Sequence, residues 1–362
     1  MTTAPTAELP VRTLGRSAVP VTALGFGSAA IAGLYEPVGE DEAAATVDAA
    51  WQSGLRYFDT APHYGLGLAE RRLGAALRGR PRDSYTVSTK VGRLLEPSDA
   101  GGDDRANGFA VPATHRRRWD FSADGVRRSL EDSLVRLGLD RVDLVLLHDP
   151  DGHEEQAFRE AYPALEELRA QGVVGAIGAG MNQSRMLARF VTDTDVDAVL
   201  CAGRYTLLEG GALDDLLPAA SAAGRSVVIG GVFNSGLLAD PKPGATYDYA
   251  AAPAEVLRRA VRMRDTARGF GVPLRAAALR FPFGHAAVAS VLVGARSAAQ
   301  VHDAVEQFRH PVPGALWDAL RARDLLPEGA PVPAGGPKPA EAPVPAWGSE
   351  PAEAPVPGRT TS

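Results

Sequence analysis

The stretch LRYFDTAPHYG, residues 55–65, sets an acid, an imidazole and a phenol at and just beyond the end of an apolar run. Asp59 closes the run and Tyr64 stands in the segment that follows. Two more apolar runs end in the same way: SYTVSTK closes on Lys90 and VDLVLLH closes on His148. Buried strands do not normally end in ionisable groups unless those groups are used. Moving a hydride to or from a carbonyl carbon fits these four types, because the carbonyl oxygen must gain or lose a proton as the hydride moves. A phenol with an ordinary pKa near ~10 is a poor base at neutrality and needs a nearby cation to favour phenolate. Lys90 can supply that charge and Asp59 can hold it. His148 can orient the substrate oxygen, which leaves Tyr64 to give and take the proton.

Something must bring the four together. Apolar runs recur at 21–27, 55–59, 84–90, 142–148, 173–180, 197–203, 225–231 and 288–295, each followed by a stretch with helical spacing such as DGVRRSLEDSLVRLG at 124–138. Strand–helix alternation implies a parallel sheet, and eight units are the number that closes a (β/α)8 TIM barrel. An open doubly wound sheet is the rival architecture. In a parallel barrel functional groups gather at the carboxyl ends of the strands, where Asp59, Lys90 and His148 stand.

Composition narrows the partners. The 362-residue chain carries a formal charge of −6 and a single cysteine, Cys201. That charge argues against nucleic acid as the main partner, and one cysteine excludes an internal disulfide and a thiolate-rich metal site. No apolar run is long enough to span a membrane. MTTAPTAELP has neither a basic start nor an apolar core, so the expected location is cytoplasmic. The basic run RRRW at 116–119 reads as part of a solvated polar loop after the third strand. From Gly329 to Ser362 the chain is rich in Pro and Ala and repeats PAEAPVP, which predicts a disordered tail. A proline-recognising partner is the sharp reading of that tail, and an extension with no specific ligand is the bland one.

The segments YFDTAPHYG, STKVGR, RSLEDSLVRLGLDRVDLVLLHDPD and VLVGARSAAQV together resemble the aldo-keto reductase family, over residues 11 to about 325. The resemblance implies one barrel unit at 11–328 with an N-terminal capping hairpin, VRTLGRSAVPVTALGFG, and a catalytic tetrad of Asp59, Tyr64, Lys90 and His148. It also implies an extended NAD or NADP. Gly27, Asn182, Phe233, Gly236, Leu237, Gly294, Arg296, Gln300 and Asp303 are then the cofactor contacts. Arg296 and Gln300 fall beside the adenosine ribose, and Asp303 near the adenine. Ala202 and Gly230 stand where family members commonly carry a carboxamide-binding Gln and a stacking aromatic. DFSADGVRRSLEDSL and VVIGGVFNSGLLA are similar to the sugar-oxidising branch. That branch implies oxidation at C1 of a free aldose, of the L-fucose or D-threo-aldose type, to the lactone.

Other readings stand beside this one. The same chemistry run in reverse is a reductase of small aldehydes or ketones, pyridoxal-type carbonyls included. A cofactor-binding regulatory subunit and a metal-dependent barrel hydrolase are further alternatives. His153 with His148, Asp149 and Asp151 could suggest a metal, but a turn separates the histidines, so no metal is expected. GLGLAE and GAGMNQ fail the GxGxxG pattern at Glu70 and Gln183, so no Rossmann site is expected. His63 and Trp119 are candidate substrate contacts, and Cys201 reads as a small buried apolar residue.

Overall fold

The computed structural model describes residues 8–248 and 250–334. Eight parallel strands close a barrel: β1 Leu24–Gly27, β2 Tyr57–Asp59, β3 Thr86–Val91, β4 Leu144–His148, β5 Ala176–Met181, β6 Ala198–Ala202, β7 Ser226–Gly230 and β8 Val288–Gly294. One strand lies in each of the eight apolar runs. The doubly wound alternative is overturned by closure, since β8 pairs with β1, Val293 opposite Phe26. The strands are buried on both faces, which is why they read as continuous apolar runs rather than alternating ones.

Helices surround the barrel: α1 Glu40–Gln52, α2 Leu68–Leu77, α3 Ala123–Leu137, α4 Tyr162–Ala170, α5 Ser184–Asp193, α6 Leu216–Ala223, α7 Ala254–Gly269, α8 Leu274–Arg280, α9 Ala298–Arg309 and α10 Gly314–Arg321. Helix α3 shows why they form where they do. Ser122 caps it by accepting the Gly125 N–H at 3.0 Å, and Gly138 ends it in the left-handed conformation at φ 63°. Val126, Leu130, Ser133 and Leu137 fall on its buried face. Helix α2 approaches so closely that a Cβ on Gly74 would lie 1.8 Å from the Leu137 carbonyl oxygen. Any larger residue there overpacks the α2–α3 contact.

An antiparallel hairpin, Val11–Thr13 with Pro20–Thr22, closes the amino-terminal end of the barrel, as expected. Its Leu14, Val19 and Val21 join Tyr57, Leu146 and Leu292 in the interior cluster. Full burial of each such side chain stabilises the fold by roughly 1.5–3 kcal/mol. With that end plugged, only the carboxyl ends of the strands are left to build a site.

Two expectations are corrected. The polar loop after β3 is a second hairpin, Arg93–Pro97 with His115–Trp119, standing on the carboxyl rim. RRRW is therefore strand, stabilised by cross-strand ion pairs: Arg116 and Arg118 both bond Glu96, at 2.9 and 2.6 Å. At the other end Ala330 is buried and its carbonyl accepts from Arg321 at 3.1 Å, so packing continues past the expected boundary at 328. Residues 335–362, with both PAEAPVP copies, lie outside the described residues. Among the described residues no helix is long and apolar enough to cross a membrane.

Candidate active site

Strand register assembles the site. Asp59 at the end of β2 lies level with Ser88 on β3, and Lys90 is the next residue along β3 on the same face. Lys90 Nζ therefore reaches back to donate to Asp59 Oδ2 at 2.7 Å, to the Thr60 carbonyl at 2.9 Å and to Tyr64 Oη at 3.1 Å. Three acceptors use all three ammonium protons. Ser88 donates to the other oxygen of Asp59 at 2.7 Å. With its only proton committed there, Ser88 Oγ accepts the Tyr57 hydroxyl, 3.1 Å away. Lys90 and Asp59 are 2% and 4% exposed at their side chains, so this is a buried ion pair with each partner's hydrogen bonds met.

Tyr64 sits in the turn between β2 and α2, held from two sides. Gly65 follows with φ 57°, and a Cβ there would lie 2.6 Å from the Ala32 carbonyl oxygen, so that position needs glycine. Arg117 donates to the His63 carbonyl at 2.9 Å and is anchored on the buried Asp104. A residue of the run read as a solvated loop thus clamps the turn carrying the phenol. His148, at the end of β4, meets the Tyr64 ring edge-on with centroids 5.9 Å apart. The His63 ring packs against Phe109 and His148, at 5.5 and 5.7 Å. The three run-end residues and Tyr64 thus meet in one cluster, with His63 as a close neighbour.

Burial governs the titration of the cluster. It opposes the charged form of Lys90, yet Asp59 and Tyr64 outweigh it and hold the ammonium above its ordinary range. Burial raises Tyr64, against the lowering effect of Lys90. The sequence-based expectation counted only the lysine and missed the larger opposing effect. Burial pushes His148 well below its usual value, helped by Arg93 and Lys90. It pushes His63 to about 2, with Arg93, Arg117 and Lys90 acting the same way. Both imidazoles are neutral at physiological pH, and the Nδ1 atom of each is buried without a partner.

The candidate cofactor residues lie on the same rim. Gly27 pairs with Asp59 on one side and with Gly294 on the other, so β8 carries its following segment past the cluster. Across the mouth, Gly180 pairs with His148 and Gly230 with Ala202. A Cβ on Gly180 would stand 3.7 Å from Lys90 Cε, so any side chain there would pack on the lysine. Asn182 donates to the Ala202 carbonyl at 3.1 Å. Ser28 Oγ and Asn234 Oδ1 are buried without partners. In the loop after β7, the Gly236 and Leu237 N–H groups donate within the loop, to Phe233 at 3.1 Å and Asn234 at 3.2 Å.

Charge around Arg296 is arranged differently from the expectation. Asp303 pairs with Arg275 at 3.1 Å and accepts from Gln307, so its charge is engaged elsewhere. The anion on Arg296 is Glu36, from the segment after β1. Gln300 Oε1 accepts the Arg296 N–H at 3.0 Å. Trp119 is 42% exposed at the end of the rim hairpin, and Cys201 is buried, its thiol pushed up to about 12 by that burial. Among the described residues no group of three or more potential ligands is placed to hold a metal ion.

The depressed histidines link stability to pH. Below about pH 6.5 the unfolded chain takes up protons that the folded chain refuses. Stability is therefore lost as pH falls, by up to about 1.4 kcal/mol per pH unit for each histidine. Melting temperatures measured from pH 8 to 5 should fall, and His63→Gln should flatten that fall. Equal slopes in the two proteins would contradict the assignment of a neutral, buried His63.

The model of the aldo/keto reductase family matches residues 23–323. Over 313 residues the chain is 47% identical to D-threo-aldose 1-dehydrogenase of Pseudomonas sp, spanning 85% of this chain and 95% of that protein. It is 41% identical to pyridoxal 4-dehydrogenase of Microbacterium luteolum over 334 residues, 87% of this chain and 97% of that one. The solved structure of the aldo-keto reductase AKR11C1 from Bacillus halodurans in its holo form superposes with a TM-score of 0.70 at 26% identity, covering 89% of this chain and 98% of that chain. The chain belongs to the aldo/keto reductase family and is an oxidoreductase that works with a nicotinamide cofactor, NAD or NADP.

Proposed function

We propose that this oxidoreductase removes a hydride from C1 of a free aldose and delivers it to the nicotinamide, giving the aldonolactone. The observation that carries the reading is the Lys90 ammonium bonded at once to Asp59 and to the Tyr64 hydroxyl. In the oxidising direction the C1–H bond breaks, the hydride leaves, and the O1–H proton passes to Tyr64 as the C1–O double bond forms. Lys90 stabilises the phenolate that accepts this proton, and Asp59 keeps Lys90 charged and aimed. His148, neutral through burial, donates one N–H to O1 and positions it without exchanging a proton. The similarity to an enzyme named for D-threo-aldose supports the sugar, and the similarity to pyridoxal 4-dehydrogenase supports an aromatic aldehyde as the second reading.

The residues present fit an extended dinucleotide. Ser28 Oγ and Asn234 Oδ1, buried without partners among the described residues, suit its polar groups. Asn182 would hold the carboxamide, the segment from Phe233 to Leu237 the pyrophosphate, and Arg296 with Gln300 the adenosine ribose. The bound cofactor supplies the hydride acceptor. With Glu36 on Arg296, little net positive charge remains for a 2′-phosphate, so NAD+ is used at least as well as NADP+.

Two measurements follow. Tyr64→Phe should lower kcat by roughly 10²–10⁴-fold while NAD+ binding by fluorescence titration stays near the parent value. Turnover within a few-fold of the parent would remove Tyr64 from the chemistry. Gln300→Arg should move the ratio of kcat/KM values toward NADP+ by about 1–3 kcal/mol, through a charge-assisted bond to the phosphate. A parent that already favours NADP+ a hundredfold would mean that Arg296 acts unopposed.

A further inference from the structure

Beside His148 stands a carboxylate that the chemistry above does not use. Asp149 follows the end of β4 in the left-handed conformation, φ 45° and ψ 57°, its N–H bonded to the Gly180 carbonyl at 3.0 Å. This unusual backbone for a non-glycine residue brings Asp149 Oδ2 to 3.6 Å from His148 Nε2. The same oxygen accepts from Arg93, whose side chain is 92% buried in the rim hairpin. Among the described residues no group donates to Asp149 Oδ1. The Arg93 guanidinium lies 4.2 Å over the Trp119 ring, and Arg93 Nε is buried without a partner. Trp119 in turn stacks on Phe121 at 5.9 Å and against His153 at 5.2 Å, and remains partly exposed.

A partly buried carboxylate is unfavourable unless donors reach it. Burial raises the Asp149 carboxyl and Arg93 works against that rise; Arg93 serves one oxygen, which leaves the other as an acceptor beside the imidazole that orients the reacting oxygen. A simple aldehyde or ketone has nothing to donate there, and its carbonyl oxygen would meet a like charge. A cyclic aldose has a hydroxyl on C2, next to the reacting C1, and the ring oxygen on the other side. A ready acceptor at Asp149 matches that hydroxyl.

We propose that Asp149, positioned by Arg93, binds the substrate hydroxyl on C2, the carbon next to the reacting one. The subsite selects polyhydroxylated substrates over simple carbonyl compounds. It rests on the proposed role of His148 at the substrate oxygen and adds the substrate class to it.

The test compares the best aldose oxidised by the parent with its 2-deoxy and 3-deoxy analogues, using NAD+ throughout. In the parent, with the 3-deoxy analogue as the control, kcat/KM should fall about 10–100-fold for the 2-deoxy analogue. Asp149→Asn should lower kcat/KM for the complete sugar about 10–100-fold, chiefly through KM, and change that analogue only a few-fold, so the ratio collapses. Asp149→Glu keeps a charge facing Arg93 but displaces it, and the same collapse is expected if Asp149→Asn does not fold. Equal losses for sugar and analogue, with the ratio preserved, would overturn the subsite while leaving aldose oxidation standing. A parent that binds NAD+ but oxidises no aldose would overturn the function and the subsite together.

Discussion

The Lys90–Asp59 ion pair is the constraint on which the mouth of this barrel is built. Two opposite charges lie 2.7 Å apart where solvent hardly reaches, and such a pair persists only if its remaining hydrogen bonds are satisfied. Ser88, itself bonded to Tyr57, completes Asp59, while Thr60 and Tyr64 complete Lys90. The phenol is thus a structural partner of the ammonium, and moving it would leave a buried charge short of an acceptor. Removing one member of a buried pair destabilises by roughly 3–5 kcal/mol. Fold stability and the proposed proton transfer consequently depend on the same few atoms.

The same burial sets the electrostatics around the pair. Lys90, Arg93 and Arg117 surround two imidazoles that desolvation and cationic neighbours keep neutral. A mouth that is cationic yet holds neutral histidines favours negative charge on an oxygen placed among them. That is the charge which develops when a C1 hydroxyl loses its proton or a carbonyl gains a hydride. Asp149 is the counterweight, kept beside His148 by Arg93 rather than by solvent.

Much of this was legible in the sequence because barrel geometry is periodic. Eight buried parallel strands leave eight apolar runs, and a polar residue closing such a run marks the functional rim, so Asp59, Lys90 and His148 could be read before any coordinates. Tyr64 was readable from its place in the first turn beyond Asp59. Pairings between distant segments were not legible. Arg93 and Asp149 meet only because β3 and β4 are neighbours, and RRRW pairs as a strand with Arg93–Pro97, bonding Glu96 across the hairpin and Asp104 in its connecting loop. Likewise Arg275 takes Asp303, the residue expected near the adenine, and Glu36 reaches Arg296 from the other end of the chain. The net rise of the Tyr64 pKa was hidden for a related reason. Burial is a property of the assembled mouth, not of the residues that line it.

The central claim is that Lys90 makes Tyr64 competent near neutrality, and the pH dependence of kcat in Lys90→Met tests it most directly. Asp59→Asn/Lys90→Met serves beside it, so that no unpaired carboxylate is left buried. With both variants folded and binding NAD+, the account predicts a loss of about 10²-fold or more at pH 7 and a rate that climbs with pH, as the unassisted phenol approaches its own ionisation. A pH–rate profile with its alkaline side unchanged from the parent would contradict the account.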